Sequence, residues 1–349
     1  METTGVRPQA IPPQGIVMQM VMGGWIARAV SDVSRLDIPD ILKVRGPMNA
    51  TELVESGVQA NPGALERVMR VCASVGLFTE NAQAQFGPTE LSDALTADSP
   101  VSVKVIAQEV GSTWLKIWGN LNEGIATGEP QARAVFGLEW WDYLNANPKE
   151  LETFGEAMKS NSVNSMRSVL EHCDFSNIKK AADIGGGFGH LIVALLQKYP
   201  SLNGVLMDIP KVIPLAQKRF PVSDTSVASR LQYFGGDMFA SVPSSEVYIL
   251  KHIIHDWDDD HCLRLLTNCH DSMDGNGRII CVDSVVPPMG DTGATPAKLL
   301  DILMMLAIRG KERTLKQWTE LYAAAGFKIA KVSPLNDNFG TSIIEGIKQ

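Results

Sequence analysis

The run Ala181-Ala182-Asp183-Ile184-Gly185-Gly186-Gly187-Phe188-Gly189-His190 constrains this chain more than any other stretch. Apolar residues lead into an acid and then into four glycines. Leu191, Ile192, Leu195 and Leu196 come next at helical spacing. The pattern predicts strand, tight turn and helix. Glycine lets a ligand lie against bare backbone where a β-carbon would collide with it. The helix start behind the turn offers free N–H groups and positive potential to an anionic group. Taken alone the stretch also fits an ordinary glycine-rich turn of an α/β domain, so its meaning rests on the downstream strands.

Beyond Asp174 the sequence alternates between strand and helix patterns, the signature of a parallel sheet. Strands are predicted over 181–184, 204–208, 231–234, 247–251 and 277–283, with an antiparallel pair over 327–332 and 342–347 completing the sheet. Open α/β sheets bind ligands at the C-terminal ends of their strands. Here the first strand ends in the glycine turn. The second ends in Asp208, suited to ribose hydroxyls. The third runs into Asp237-Met238, an acceptor for an adenine amino group beside an apolar cover. Either acid alone could merely cap a helix, but with the turn they make three features in register. A dinucleotide fingerprint would need a glycine where His190 stands, and no P-loop is present. The G-x-G-x-G spacing of Gly185, Gly187 and Gly189 fits S-adenosyl-L-methionine (SAM) better than a nicotinamide dinucleotide.

The fourth strand leads into Lys251-His252-Ile253-Ile254-His255-Asp256-Trp257-Asp258-Asp259-Asp260-His261. Imidazole titrates near neutrality, so a histidine here is a candidate general base. Methyl transfer from a sulfonium is an in-line displacement, and a phenolic acceptor must lose its proton; one base and correct positioning suffice. His252 and His261 are read as packed or surface residues, and Asp258–Asp260 as a solvated first helical turn. No metal is expected, because no HExxH or tight histidine pair occurs.

A chain of 349 residues suggests about two domains. Residues 1–14 are expected to form a mobile arm. Helical spacing over 15–42, a short helix starting at Thr51, a helix capped by Asn61 and ended by Gly76, and a hairpin over 78–80 and 85–89 make the grammar of a winged helix. Such folds commonly bind DNA. The net charge of −8, with only Lys43, Arg67 and Arg70 nearby, argues against nucleic acid. An aromatic-rich helical stretch comes next, and Asn147-Pro148 opens a long helix on which Phe154 and Met158 share a face. The five cysteines are scattered without a CxxC, as reduced buried thiols of a cytoplasmic protein would be. No secretion signal and no apolar run of about 18 residues is found, so no membrane partner is expected.

The motifs Asp183–Gly189, Asp208-Ile209-Pro210, Gly235-Gly236-Asp237-Met238-Phe239, Lys251 through His255-Asp256-Trp257, and Gly310-Lys311-Glu312-Arg313-Thr314 together resemble one family. It is that of the SAM-dependent small-molecule O-methyltransferases of the plant caffeic acid and hydroxyindole type, which includes bacterial antibiotic-pathway members. The resemblance spans nearly the whole chain. It implies a winged-helix-like dimerisation domain over 15–100, a helical linker over 101–175 that contributes to the substrate pocket, and a Rossmann-like α/β SAM domain over 176–349. It implies a homodimer that converts SAM to S-adenosyl-L-homocysteine without a metal, on a hydroxylated aromatic or polyketide-like small molecule. Cofactor contacts carried over are Ser162, Gly185, Gly187, Asp208, Asp237, Met238 and Lys251. His255 matches the family's base and Glu312 the acid that orients it, while Asp283 stands where many members carry a glutamate one methylene longer. Phe154, Met158, Trp257, Asp301, Met304, Met305 and Ile308 match the acceptor pocket. Retention of both His255 and Glu312 favours methyl transfer over the hydroxylation or decarboxylation performed by some relatives on this scaffold. The intact cofactor acids and the weakly basic N-terminal half disfavour a DNA-binding regulator. An amine acceptor, which needs no strong base, stays open.

Overall fold

The computed structural model describes residues 11–100, 102–219, 222–293, 295–335 and 340–349, with the side chains of 159–164 and 219 outside that description. It divides into two compact units. Residues up to Lys116 together with Lys149–Ser160 form one, and Ile117–Pro148 with Asn161–Gln349 form the other. The stretch read as a linker is therefore shared between the units.

In the first unit, helix Pro13–Arg35 opens with proline at a position where its missing N–H costs nothing. It starts two residues inside the expected arm, whose residues 1–10 lie outside the description. The 15–42 stretch is two helices. Asp37, at φ +55°, turns the chain through the left-handed region before Ile38–Arg45. Helix Ala50–Glu55 is capped by Asn49 in a reciprocal box with Glu52, slightly ahead of the expected Thr51 start. Asn61 caps Pro62–Ser74 as expected. Strands β1 (Thr79–Glu80) and β2 (Phe86–Gly87) pair antiparallel. Val33, Ile38, Leu42, Leu53, Leu65 and Met69 form the core beneath them. The outer face of Pro13–Arg35 stays apolar and open: Val17, Met20, Val21 and Trp25 are 55–73% exposed.

The second unit is built on a sheet of eight strands among the described residues: β3 (Lys180–Ile184), β4 (Asn203–Asp208), β5 (Leu231–Gly235), β6 (Ser245–Lys251), β7 (Met273–Val286), β8 (Arg313–Thr314), β9 (Phe327–Pro334) and β10 (Thr341–Lys348). The main order is β5-β4-β3-β6-β7-β10-β9, with β8 beside β7. β3 to β7 run parallel, while β10 is antiparallel to both neighbours. Strand order reverses between β3 and β6, the place where such sheets take ligands. The central strands are apolar on both faces because helices cover both. All five cysteines are free and buried. Among the described residues no helix is long and apolar enough to cross a membrane.

Candidate active site

The turn after β3 has the shape its sequence predicts. Gly185, Gly187 and Gly189 adopt φ of +65°, +58° and +84°. A β-carbon at Gly185 would lie 2.4 Å from Ile253 Cδ1, whereas at Gly187 it would meet nothing within 4 Å. Asp208, at the end of β4, accepts the Gly187 N–H at 2.9 Å through Oδ2 and the Ile209 N–H at 2.8 Å through Oδ1. Burial pushes its carboxyl upward against these two bonds. Each oxygen keeps a lone pair for a hydroxyl. Asp237 is exposed and accepts the Phe239 N–H, and Met238 is half-buried against the core. Lys251 sits at the end of β6. Burial pulls its ammonium downward against the attraction of Asp183 and Asp283. Burial also pushes Asp183 up to about 7, with Lys251 opposing. An open glycine cradle, a two-oxygen acceptor at the next strand end and a half-buried thioether fit an uncharged nucleoside with a short charged tail, as SAM has. Ser162 lies within helix Pro148–His172, among the side chains outside the description.

His255 lies on the short turn Ile254–Asp256 just beyond β6. Its Nδ1 is 2.7 Å from Glu312 Oε1, and the Glu312 side chain is fully buried. Asp283 Oδ1 is 3.8 Å from the same nitrogen, beyond hydrogen-bond reach. Neither Asp283 oxygen has a hydrogen-bond partner, so this shorter acid acts on His255 through charge alone. Asp256 Oδ1 stands 3.4 Å from His255 Nε2. Burial would pull the imidazole downward, but Glu312, Asp256 and Asp283 reverse this and raise it to about 10. Burial, with Glu312 and Asp256 behind it, pushes Asp283 up to about 8 against the pull of His255. Asp256 rises to about 6 for the same leading reason. Asp256 and Asp283 thus titrate together with the imidazole, and the resting site favours the imidazolium.

Sequence reasoning missed two members of this cluster. Asp256 was visible only as part of a motif. His252, read as a packing residue, stands with Nδ1 3.8 Å from Asp283 and its ring 5.4 Å from that of His255. Its backbone is at φ +54°, which is uncommon for a β-carbon-bearing residue. Burial, then Lys251 and His255, hold it well below its ordinary value. His252, His255 and Asp283 bring three donor atoms within 4.8 Å of one another. A tetrahedral zinc shell has edges of about 3.4 Å, and His255 Nδ1 is already taken by Glu312. His261 is half-exposed and bonded to Asp258, which caps the helix Asp259–Asp271.

Residues matched to the acceptor pocket divide between the units. Met304, Met305 and Ile308 lie on helix Thr295–Ile308 of the second unit, buried or half-buried. On the same helix, Asp301 Oδ1 accepts the Glu312 N–H at 2.8 Å, so one of its oxygens supports the acid behind His255. Trp257 packs edge-on against Phe239, with centroids 4.7 Å apart. Phe154 and Met158, both half-buried, belong to the first unit.

Comparison with known proteins adds independent findings. The O-methyltransferase domain family matches residues 118–328, and the O-methyltransferase dimerisation domain family matches residues 18–98. The chain is 33% identical to a phenazine O-methyltransferase of Lysobacter antibioticus, with 98% of each chain covered. It is 31% identical to a mitomycin biosynthesis 6-O-methyltransferase of Streptomyces lavendulae, over 91% of this chain and 90% of that one. The solved structure of human N-acetylserotonin methyltransferase in complex with SAM matches with a TM-score of 0.85 at 25% identity, covering 99% of both chains.

Proposed function

The chain belongs to the O-methyltransferase family and is a SAM-dependent methyltransferase, and on that premise we propose that it methylates a hydroxyl of an aromatic or polyketide-like small molecule with His255 as general base. The observation that carries this reading is the buried 2.7 Å contact between His255 Nδ1 and Glu312, at the strand ends beside the glycine turn. It leaves Nε2 as the proton-accepting nitrogen.

When bound, SAM supplies an electrophilic methyl group on its sulfonium. Gly185 and Gly187 would hold its amino-acid end, Asp208 the ribose, and Asp237, Met238 and Lys251 the adenine. Trp257, Met304, Met305 and Ile308 supply a flexible apolar wall for a flat ring. His255 takes the hydroxyl proton at Nε2. Glu312 fixes the tautomer and stabilises the imidazolium, and Asp283 adds a second negative charge once pH rises past about 8. Asp301 serves through Glu312. The enzyme works as a homodimer, which covers the apolar face around Val17, Met20, Val21 and Trp25.

The test is methyl transfer from labelled SAM to a panel of hydroxylated aromatics and matched aromatic amines, with the product's methylated atom located by mass spectrometry. Label on oxygen supports the proposal. Turnover of amines alone contradicts it.

A further inference from the structure

We propose that Arg313 is a positioning residue for methyl transfer, fixing the turn that carries His255 through main-chain carbonyls on both of its flanks. The proposal rests on the reading of His255 as the base.

Arg313 is 1% exposed, among the largest fully buried side chains among the described residues. Its NH1 donates to the Ile254 carbonyl at 3.0 Å and its NH2 to the Trp257 carbonyl at 2.9 Å. These two carbonyls bracket His255 and Asp256. The guanidinium is itself held by Asp259 Oδ1, at 3.0 Å from Nε and 2.8 Å from NH2, and NH2 also lies 3.3 Å from Cys262 Sγ. The turn's own main-chain bonds are at the long end of the range, 3.2 Å from the Asp256 N–H to the Ile253 carbonyl and 3.3 Å from the Trp257 N–H to the Ile254 carbonyl. Apart from Arg313, the buried Ile254 carbonyl and the partly buried Trp257 carbonyl share the Cys262 thiol, a weak donor at 3.2 and 3.5 Å, and a planar fork of donors satisfies both at once. An ammonium offers a point charge and cannot span them in the same way.

Neighbouring residues act on the same turn. The Lys311 N–H donates to the His255 carbonyl at 2.9 Å, and a β-carbon at Gly310 would lie 2.0 Å from that oxygen. Glu312 holds the imidazole itself. The segment from Gly310 to Arg313 therefore grips His255 by backbone and by side chain together. The Glu312 contact fixes the ring only while the backbone beneath it stays still, and that is the part Arg313 supplies.

The experiment compares Arg313→Lys and Asp259→Asn with the unaltered enzyme, measuring kcat, KM for both substrates, SAM affinity and the pH–rate profile. Arg313→Lys is expected to lower kcat by about 10- to 100-fold with SAM affinity within about twofold. The midpoint of the profile should move to lower pH, because an imidazole drawn away from Glu312 loses its largest attracting charge. A folded Arg313→Lys enzyme with normal kcat and profile, whatever its melting temperature, overturns the proposal. Should Arg313→Lys fail to fold, Asp259→Asn decides, since Asp259 is 58% exposed. A several-fold loss of kcat with the same shift supports the proposal, and an unmoved profile overturns it. If His255→Gln kept full turnover, the reading of the base would fail first. An inactive His255→Gln beside a normal Arg313→Lys would sink this proposal alone.

Discussion

Replacing Glu312 by Gln exchanges one carboxylate oxygen for an amide nitrogen and tests the electrostatics of the site. In the unaltered enzyme His255 is raised from its ordinary 6.5 to about 10, on the order of 5 kcal/mol of preference for the imidazolium. At pH 7 the free site then holds about one neutral imidazole in a thousand, so the rate should climb as pH rises through the alkaline range. Glu312 contributes the largest attraction, through a charge-assisted contact of 2.7 Å between buried groups. Losing such a bond costs about 1.5–3 kcal/mol, which lowers the midpoint by about one to two pH units. Asp256 and Asp283 remain, so the return to 6.5 is incomplete. The plateau rate moves the other way. A glutamine amide can donate to Nδ1, which places the ring proton on Nε2, the nitrogen that must accept. A loss of about 10²- to 10⁴-fold is expected. The assay is labelled methyl transfer between about pH 6 and 10 at saturating SAM, with SAM affinity measured by calorimetry. A plateau within about threefold of the unaltered enzyme and an unmoved midpoint would refute the reasoning.

Two further outcomes concern other parts of the molecule. Asp208→Ala removes the acceptor of the Gly187 and Ile209 N–H groups along with the ribose site; calorimetry should show SAM affinity reduced by about 10- to 100-fold, and unchanged affinity would remove Asp208 from the cofactor site. Trp25→Glu places a charge in the middle of the exposed apolar helix face, where Trp25 is 72% exposed; light scattering at micromolar concentration should show a dimer for the native sequence and a monomer for the variant, and a variant that remains dimeric would move the interface elsewhere.

Much of the sheet was legible because each parallel strand is a short apolar run, several of them ending in glycine or an acid. Asn61-Pro62 marked its helix for an equally local reason. The start at Asn49 was also written in Asn49-Ala50-Thr51-Glu52, a capping box passed over for the threonine. The break at Asp37 left no periodic signal, because apolar residues continue at helical spacing through it. The site was less legible. Nothing in the residues themselves ties Glu312 to His255 across 57 positions; only the family resemblance paired them. Asp256, His252 and Arg313 take their roles from the meeting of the β6 end with β7 and with the Gly310–Arg313 segment, a tertiary event without spacing or pattern. Asp301 shows the same limit: matched to the acceptor pocket, it spends one oxygen on the Glu312 backbone.

General-base catalysis by His255 is tested most sharply by His255→Gln, assayed for methyl transfer to a hydroxylated acceptor found in the panel, with SAM affinity measured on the same preparation. Turnover should fall by about 10²-fold or more while SAM affinity stays unchanged. Full turnover by the variant would contradict the assignment of the base, whatever else of the site remained in place.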